Sequence, residues 1–510
     1  MLTTDAVRLR AGIGFGGQRL RRARHLDRGV MSTSSSAANL PGFRPSVVEH
    51  PSVEDRAAHG RSARKATPRS KHADFAPPVR RTDPIALLES QATTRVQQLV
   101  PIRYGRMLVS PFTFYRGAAL VMANDLATTP TTDLRVQLCG DAHLSNFGIF
   151  GTPERRLVFD INDFDETSPG PFEWDIKRLA ASLEIAGRDR GFTALEREAA
   201  VRASVASYRT AMAEFAGQTN LEVYYASLDI DRALAAYRPR VTKAMMARTE
   251  RTIAKARTRD SMHALNKMTE IVDGEPRIKP DPPLVVRAEA FMSEEFAARF
   301  TDWVHENLRA YRNTLETDRR RLLEGYRFVD LAQKVVGVGS VGTRAWMALL
   351  LGRDDSDPLF LQFKEAQASV LEAFCGASAY RNHAHRVVAG QRLMQAAGDI
   401  LLGWMRIPGI DGIERDFYVR QLRDWKGSAE IDEMVPEGVK NYAELCGWTL
   451  ARAHANSGDR IAIAAYLGRS DVFDRAIVAF ATKYADQNER DHAALLTAVD
   501  GGRITAEPGV

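Results

Sequence analysis

Three things the chain lacks narrow the possibilities first. No run of about eighteen apolar residues occurs, so no membrane-spanning helix is expected. The only cysteines are Cys139, Cys375 and Cys446, odd in number and far apart. That excludes a disulfide framework and a cysteine zinc cluster, and it fits a reducing, cytoplasmic setting. The body also lacks excess positive charge: the net charge is +6, yet residues 1–82 hold 16 Lys and Arg against 6 Asp and Glu, leaving 54 against 58 for the rest. The basicity belongs to the tail, and the folded part gives no reason to expect a nucleic-acid partner.

That tail, residues 1–82, is rich in Arg, Ser, Gly and Pro and contains no secretory apolar core. It is expected to be a disordered basic tail that becomes a partly ordered arm after residue 40. Regular structure is expected from Asp83-Pro84, an acid followed by Pro at a first helical position.

What the chain does contain is organised around Cys139-Gly140-Asp141-Ala142-His143-Leu144-Ser145-Asn146 and the acidic run Asp160-Ile161-Asn162-Asp163-Phe164-Asp165. Asp141 and Asn146 stand five apart, the spacing of the Asp and Asn in a protein-kinase catalytic loop. Between the motifs Phe147, Ile149, Leu157, Phe159 and Ile161 keep a period of two around Gly151-Thr152-Pro153-Glu154, which predicts a β-hairpin. Its open end gathers Asp141, Asn146 and one or more of Asp160, Asp163 and Asp165. Oxygen ligands of this kind suit a hard divalent cation, magnesium in phosphoryl transfer. Asp141 is then left to take a proton from an attacking hydroxyl.

Trp174-Asp175-Ile176 opens a helix, and helical periodicity runs on to about Tyr326, broken by an expected hairpin at Val272-Asp273-Gly274-Glu275-Pro276. The character then changes. A Gly337-x-Gly339-x-x-Gly342 pattern is entered from a β-branched run and lies between two strands, which fits a flap over phosphates and not a dinucleotide-binding turn. Lys364 ends the third strand of this unit, as a lysine holding phosphates would. A helix expected over 366–374 sets Glu372 to pair with Lys364, with Glu365 as the competing partner. Strands at 400–405 and 417–422 complete a small antiparallel sheet, and residues 420–427 read as a hinge beside a nucleotide base. From Tyr442 onward the chain is helical again.

Leu99-Val100-Pro101-Ile102-Arg103-Tyr104-Gly105-Arg106-Met107, residues 140–148, 160–165 and 174–181, the glycine loop and residues 420–428 together resemble the bacterial domain-of-unknown-function family 2252. More distantly, Gly140 to Asn146, the hairpin, Asp163 and Trp174-Asp175-Ile176 are similar to the aminoglycoside and choline phosphotransferase branch of the kinase-like fold. That resemblance implies Asp141 as base, Asn146 and Asp163 as metal ligands and Asp175 as a structural support. Two departures stand out: Cys139 occupies a position where the branch has His, and the glycine loop and Lys364 follow the acidic site in the chain instead of preceding it. The second implies a circular permutation.

The expected architecture is therefore α+β: a helical catalytic lobe over 83–326, a β-rich nucleotide lobe over 327–428, and C-terminal helices over 429–510 packing on the catalytic lobe. The candidate metal set is Asn146, Asp163 and Asp160, and the nucleotide set is Gly337, Gly339, Gly342, Lys364 and Glu372. The expected function is ATP- and magnesium-dependent phosphotransfer to a hydroxyl acceptor that the sequence does not name. The alternatives are a nucleotide-binding regulator without turnover (a pseudokinase), nucleotidyl transfer, and a metal-dependent hydrolase built on Asp141, His143 and the acidic run.

Overall fold

The computed structural model describes residues 50–335, 337–422 and 425–509. The tail before residue 50, with the disorder expected of it, lies outside them. In the arm that follows, α1 (Val53–Ala66) opens with a Ser52/Asp55 capping box. It buries little more than Gly60 and Ala63. A Cβ on Gly60 would stand 2.0 Å from the Ala462 carbonyl oxygen, so the contact is backbone against backbone. Arg64 Nε donates to the Tyr466 carbonyl at 2.7 Å, satisfying an acceptor near the end of a later helix.

α2 (Pro84–Ala92) starts where expected, with Asp83 accepting from the Ile85 amide and Pro84 at the first position. α3 (Val100–Leu108), α4 (Pro111–Gly117) and α5 (Ala119–Leu126) follow, and α4 buries Phe112, Phe114 and Tyr115. Around the acidic motifs lie β1 (Arg135–Leu138), β2 (Phe147–Gly151), β3 (Leu157–Ile161) and β4 (Ser168–Pro171). β2 and β3 form the hairpin expected from the alternation, with Phe147 opposite Ile161, and β4 pairs antiparallel with β1. α6 (Glu173–Asp189) and α7 (Ala194–Ala216) make the centre of a helical body.

α8 (Asn220–Tyr225), β5 (Leu228–Asp229), α9 (Ile230–Tyr237), α10 (Lys243–Arg257) and α11 (Ser261–Met268) lead to the second expected hairpin, β6 (Thr269–Val272) with β7 (Glu275–Ile278). β8 (Val285–Arg287), α12 (Glu294–Arg312) and α13 (Thr317–Leu323) bring the chain to β9 (Arg327–Lys334), β10 (Ala345–Leu351) and β11 (Pro358–Ala366). After α14 (Glu372–Cys375) and α15 (His383–Met394), β12 (Gly403–Pro408) and β13 (Glu414–Gln421) complete an antiparallel sheet in the order β12-β13-β11-β10-β9-β8. Directly paired residues share a sheet face, so Lys364 looks the same way as its partners Ala345 and Tyr418. Tyr311 and Leu315 pack with Leu361 and Phe363 on one face, and Ala264 and Ile278 pack with Met347 and Phe360 on the other.

β14 (Gly427–Ser428) leaves this sheet and adds to β2, Gly427 opposite Ile149. The last sheet strand is thereby tied to the hairpin of the acidic motifs. α16 (Pro436–Ser457), α17 (Arg460–Leu467) and α18 (Val472–Asp500) close the chain. α16 lies tight on α7, where a Cβ on Gly447 would stand 2.0 Å from the Ser204 carbonyl. The architecture is mixed α+β with antiparallel sheets, and among the described residues no helix is long and apolar enough to cross a membrane.

Candidate functional site

β1 delivers the chain into residues 139–146, and several contacts fix their path. Gly140 has φ +85°, and a Cβ there would lie 2.2 Å from the Glu166 carbonyl, so both conformation and space demand glycine. From the first turn of α6, Asp175 accepts the Cys139 amide at 2.8 Å and the Gly140 amide at 3.1 Å. Asp175 is also 3.2 Å from His454 Nε2, and His454 Nδ1 is 2.9 Å from the Tyr208 hydroxyl. A carboxylate only accepts, so Nε2 carries the imidazole proton and Tyr208 donates to Nδ1. The support role expected of Asp175 has this geometry, with His454 behind it. Cys139 is buried beside this network, and burial followed by the Asp175 charge pushes its thiol well above the ordinary range.

The Asp141 carboxylate projects from this loop. Its Oδ1 receives Arg178 Nε at 2.8 Å and Arg178 Nη2 at 2.6 Å, and its Oδ2 lies 3.8 Å from His143 Nε2. Arg178 is itself held by the Tyr115 carbonyl at 2.9 Å. Burial pushes His143 down to about 3, Arg116 and Arg178 adding to the effect and Asp141 opposing it, so this imidazole is neutral. Asn146 Nδ2 donates to the Asp141 carbonyl at 2.8 Å, and the Asn146 carbonyl accepts the Asn162 amide at 2.8 Å. The two motifs are thus joined at their nearest point.

Beyond Asn162 the acids divide. Asp163 Oδ2 is 3.7 Å from Lys364 Nζ, and Asp165 Oδ2 is hydrogen-bonded to the same ammonium. The Tyr418 hydroxyl donates to Asp165 Oδ1 at 2.6 Å, and Ser340 of the glycine loop reaches Asp165 Oδ2 at 3.4 Å. Burial alone would raise the Asp163 carboxyl; Lys364 and then Arg420 outweigh it and hold it below the usual range. Glu166, next in line, is pushed up to about 6 by burial.

Asp160 does not join this group, which corrects its place in the candidate metal set. It is 1% exposed and accepts the Ile161 amide at 2.8 Å and the Ala396 amide at 2.7 Å, with Arg452 Nη2 at 3.3 Å. On a strand side chains alternate between faces, and Asp160 faces the buried side with its charge compensated. Glu372 is a second correction. β11 runs on through Ala366, and the helix expected over 366–374 is only the single turn α14, beginning at Glu372. Its carboxylate caps the Ser369 and Ser378 amides at 3.0 and 3.1 Å and stands 3.6 Å from Arg386. Lys364 takes its counter-charges from Asp163 and Asp165 instead. Glu365 also points away from Lys364, toward Arg344 at 3.3 Å and Arg415 at 3.7 Å.

The glycine loop joins β9 to β10 as expected. Gly337 and Gly342 have φ +64° and +87°, a region that favours glycine. The loop is anchored to the helical body: the Val96 amide donates to the Gly342 carbonyl at 2.8 Å, Arg95 and Arg106 donate to the Val341 and Gly337 carbonyls, and Val341 is buried among Leu99 and Ile102. In the expected hinge, residues 423 and 424 lie outside the described residues. Arg420 donates to Gln362 Oε1 at 3.0 Å and to the Asn162 carbonyl at 3.1 Å. The Arg420 guanidinium, and then burial, push the neighbouring Lys426 ammonium down to about 7.

Among the described residues no group of three or more His, Cys, Asp and Glu side chains is arranged to hold a metal ion. Two carboxylates, Asp163 and Asp165, converge on one ammonium, and the Asn146 amide stands beside Asp141; oxygen donors are the type that a hard divalent cation takes. Arg178, Tyr418 and Lys426 were not singled out from the sequence, and Asp165 only as one of three acids left open. The signal for Arg178 was its place one helical turn after Asp175; for Tyr418 it was its place opposite Lys364 in the sheet, which needs a register that the sequence does not print.

No curated protein and no solved structure matches the chain. A family model matches residues 95–498, a span that takes in both acidic motifs, the glycine loop and Lys364. By that match the chain belongs to the family described as "Uncharacterized protein conserved in bacteria (DUF2252)".

Proposed function

We propose that the protein is an ATP- and magnesium-dependent phosphotransferase acting on a hydroxyl acceptor, with a kinase-like architecture whose nucleotide lobe follows the catalytic loop in the chain. The observation that carries this reading is the meeting of Lys364 with Asp163 and Asp165, with Ser340 of the glycine loop on Asp165. Pieces of chain up to 199 residues apart converge there.

The layout of the sheet supports it. The glycine loop joins β9 to β10, Lys364 is on β11, α15 precedes β12, and the chain returns to the site after β13; protein kinases carry their glycine loop and their lysine on the third strand. Permutation is supported at the end of α16. Ser457 Oγ accepts the Gln137 amide at 3.2 Å, and Gly458 abuts Val136. The helix after the hinge thus ends where the strand entering the catalytic loop begins, although 320 residues separate the two in sequence. Cutting and rejoining a parental chain leaves this kind of seam.

In the proposed reaction the acceptor oxygen bonds to the γ-phosphorus, the bond to ADP breaks, and the acceptor proton passes to Asp141, whose Oδ2 is free of Arg178. Asn146, Asp163 and Asp165 would hold magnesium, which when bound neutralises phosphate charge. Lys364 and Arg420 supply fixed positive charge in a water-poor setting, where it is most effective. Calorimetric titration with ATP and magnesium, together with a turnover assay, tests the reading. Asp163→Asn is expected to weaken nucleotide binding, and Asp141→Ala to keep binding while turnover falls by about a thousandfold or more. Full turnover by Asp141→Ala overturns the base, and a parent protein that binds no nucleotide overturns the reading. A second reading, a nucleotide-binding regulator with little turnover, is favoured by the Asp141 and Arg178 pair, which spends one oxygen of the base on a guanidinium. It predicts thermal stabilisation by ATP and magnesium with no transfer.

A further inference from the structure

Between the glycine loop and Asp141 stands a cation that the chemistry above does not use. α4 is opened by Pro111 and a Ser110/Thr113 capping box, and burial of Phe112, Phe114 and Tyr115 against the helical body fixes its rotation. Arg116 therefore leaves the last turn in a set direction. Its carbonyl oxygen lies 3.0 Å from where a Cβ on Gly339 would stand, so its backbone abuts the middle glycine of the loop. Its side chain is within electrostatic reach of Asp141 and Asp432 and of His143.

The neighbouring arginines are spent on protein partners. Arg178 holds Asp141 and the Tyr115 carbonyl, Arg95 and Arg106 hold the glycine loop, and Arg103 holds the Gly117 carbonyl at 2.9 Å. Arg95 and Arg103 also carry unbonded buried nitrogens, but each spends another nitrogen on a protein acceptor; among the described residues the Arg116 side chain makes no hydrogen bond, and its Nε is buried. A buried guanidinium nitrogen left unbonded costs free energy, and a ligand oxygen would remove that cost. Burial holds the Arg116 guanidinium below its ordinary range, with Asp141 and then Asp432 opposing the shift; it nonetheless stays charged.

Resting on the phosphotransferase reading, we infer that Arg116 meets the γ-phosphoryl group as it passes from nucleotide to acceptor, an arginine finger carried within the chain. Its place between the loop that covers the donor phosphates and the base that faces the acceptor suits charge that develops during transfer.

The test uses the full chain and needs no acceptor. Binding of ADP with magnesium is compared by calorimetry with binding of ADP, magnesium and aluminium fluoride, a mimic of the transferring phosphoryl group. The parent is expected to gain about a hundredfold in affinity from aluminium fluoride. Arg116→Ala should bind ADP with magnesium within about twofold of the parent and lose most of that gain, and Arg116→Lys should recover only part of it. Arg116→Gln, checked for an unchanged melting curve, gives the same comparison if Arg116→Ala does not fold. An undiminished gain in the folded variants overturns the inference, as does an equal loss with and without aluminium fluoride. A parent that binds ADP with magnesium but gains nothing from aluminium fluoride also overturns it and leaves the nucleotide site standing. A parent that binds no ADP removes both.

Discussion

Replacing Asp175 should damage the protein in two separable ways, and the structure sets the size of each. The side chain is 1% exposed and accepts from two backbone amides and from His454. Asn in its place keeps one acceptor oxygen and turns an NH2 toward the second amide, so one buried N–H loses its partner. That costs about 1–3 kcal/mol. Ala removes every acceptor and opens a void, and the loss should rise to about 3–5 kcal/mol. Because the orphaned amides belong to Cys139 and Gly140, the backbone just before Asp141 should relax, and the turnover proposed above should fall even at temperatures where the fold persists. Urea denaturation reads the first effect, and turnover of the still-folded protein at saturating nucleotide reads the second. His454→Ala in the Asp175→Asn background adds a check: the two losses should be less than additive, since both act on one network. If Asp175→Asn unfolds within about 0.5 kcal/mol of the parent, the claim that these amides depend on Asp175 is refuted.

Asp160→Asn should behave as a stability variant and not as a metal-site variant. It strips the counter-charge from Arg452, which is 1% exposed, at a cost of about 3 kcal/mol or more, while magnesium-dependent nucleotide affinity of the folded fraction stays level; a selective loss of metal affinity would return Asp160 to the site. A pH series should isolate His72, a buried residue whose Nε2 is 2.7 Å from the Tyr466 hydroxyl. Burial, reinforced by Lys177, pushes it down from 6.5 to about 3 in the folded protein. The unfolded chain therefore binds a proton below 6.5 that the folded one refuses, so stability falls as pH falls through that window, by about 2 kcal/mol between pH 7 and pH 5. His72→Gln should flatten the pH slope of the urea midpoint by that amount, and an unchanged slope would contradict the burial argument.

Much of the site could be read from the residues because its strands announce themselves. The period of two through Phe147, Ile149, Leu157, Phe159 and Ile161 became β2 and β3, and the apolar runs around Gly337 and Lys364 became β9, β10 and β11 in the expected order. Other features rest on contacts that leave no periodic trace. α1 has no apolar stripe to find: it docks through Gly60 and Ala63 and through Arg64 on a helix-end carbonyl, so the arm expected to be partly ordered carries a capped helix whose place composition did not give. Asp160 and Asp163 are indistinguishable as acids in sequence, yet one faces Arg452 in the interior and the other faces Lys364. Only the strand register assigns them. Glu372 was paired with Lys364 by helical spacing, and it was the strand's continuation through Ala366 that moved it out of reach.

The seating of Val341 among Leu99 and Ile102 bears on how any ligand gets in. Lifting the tip of the β9–β10 connection alone would pull a buried valine into water, at about 1.5–3 kcal/mol, and would also break the bond from the Val96 amide to Gly342. Carrying residues 94–117 along with the loop would cost more, because Phe112, Phe114 and Tyr115 are buried in the helical body and the Tyr115 carbonyl holds Arg178. The glycines that a reader of the sequence would first suspect of bending are thus pinned against the helical body by Val96, Arg95 and Arg106.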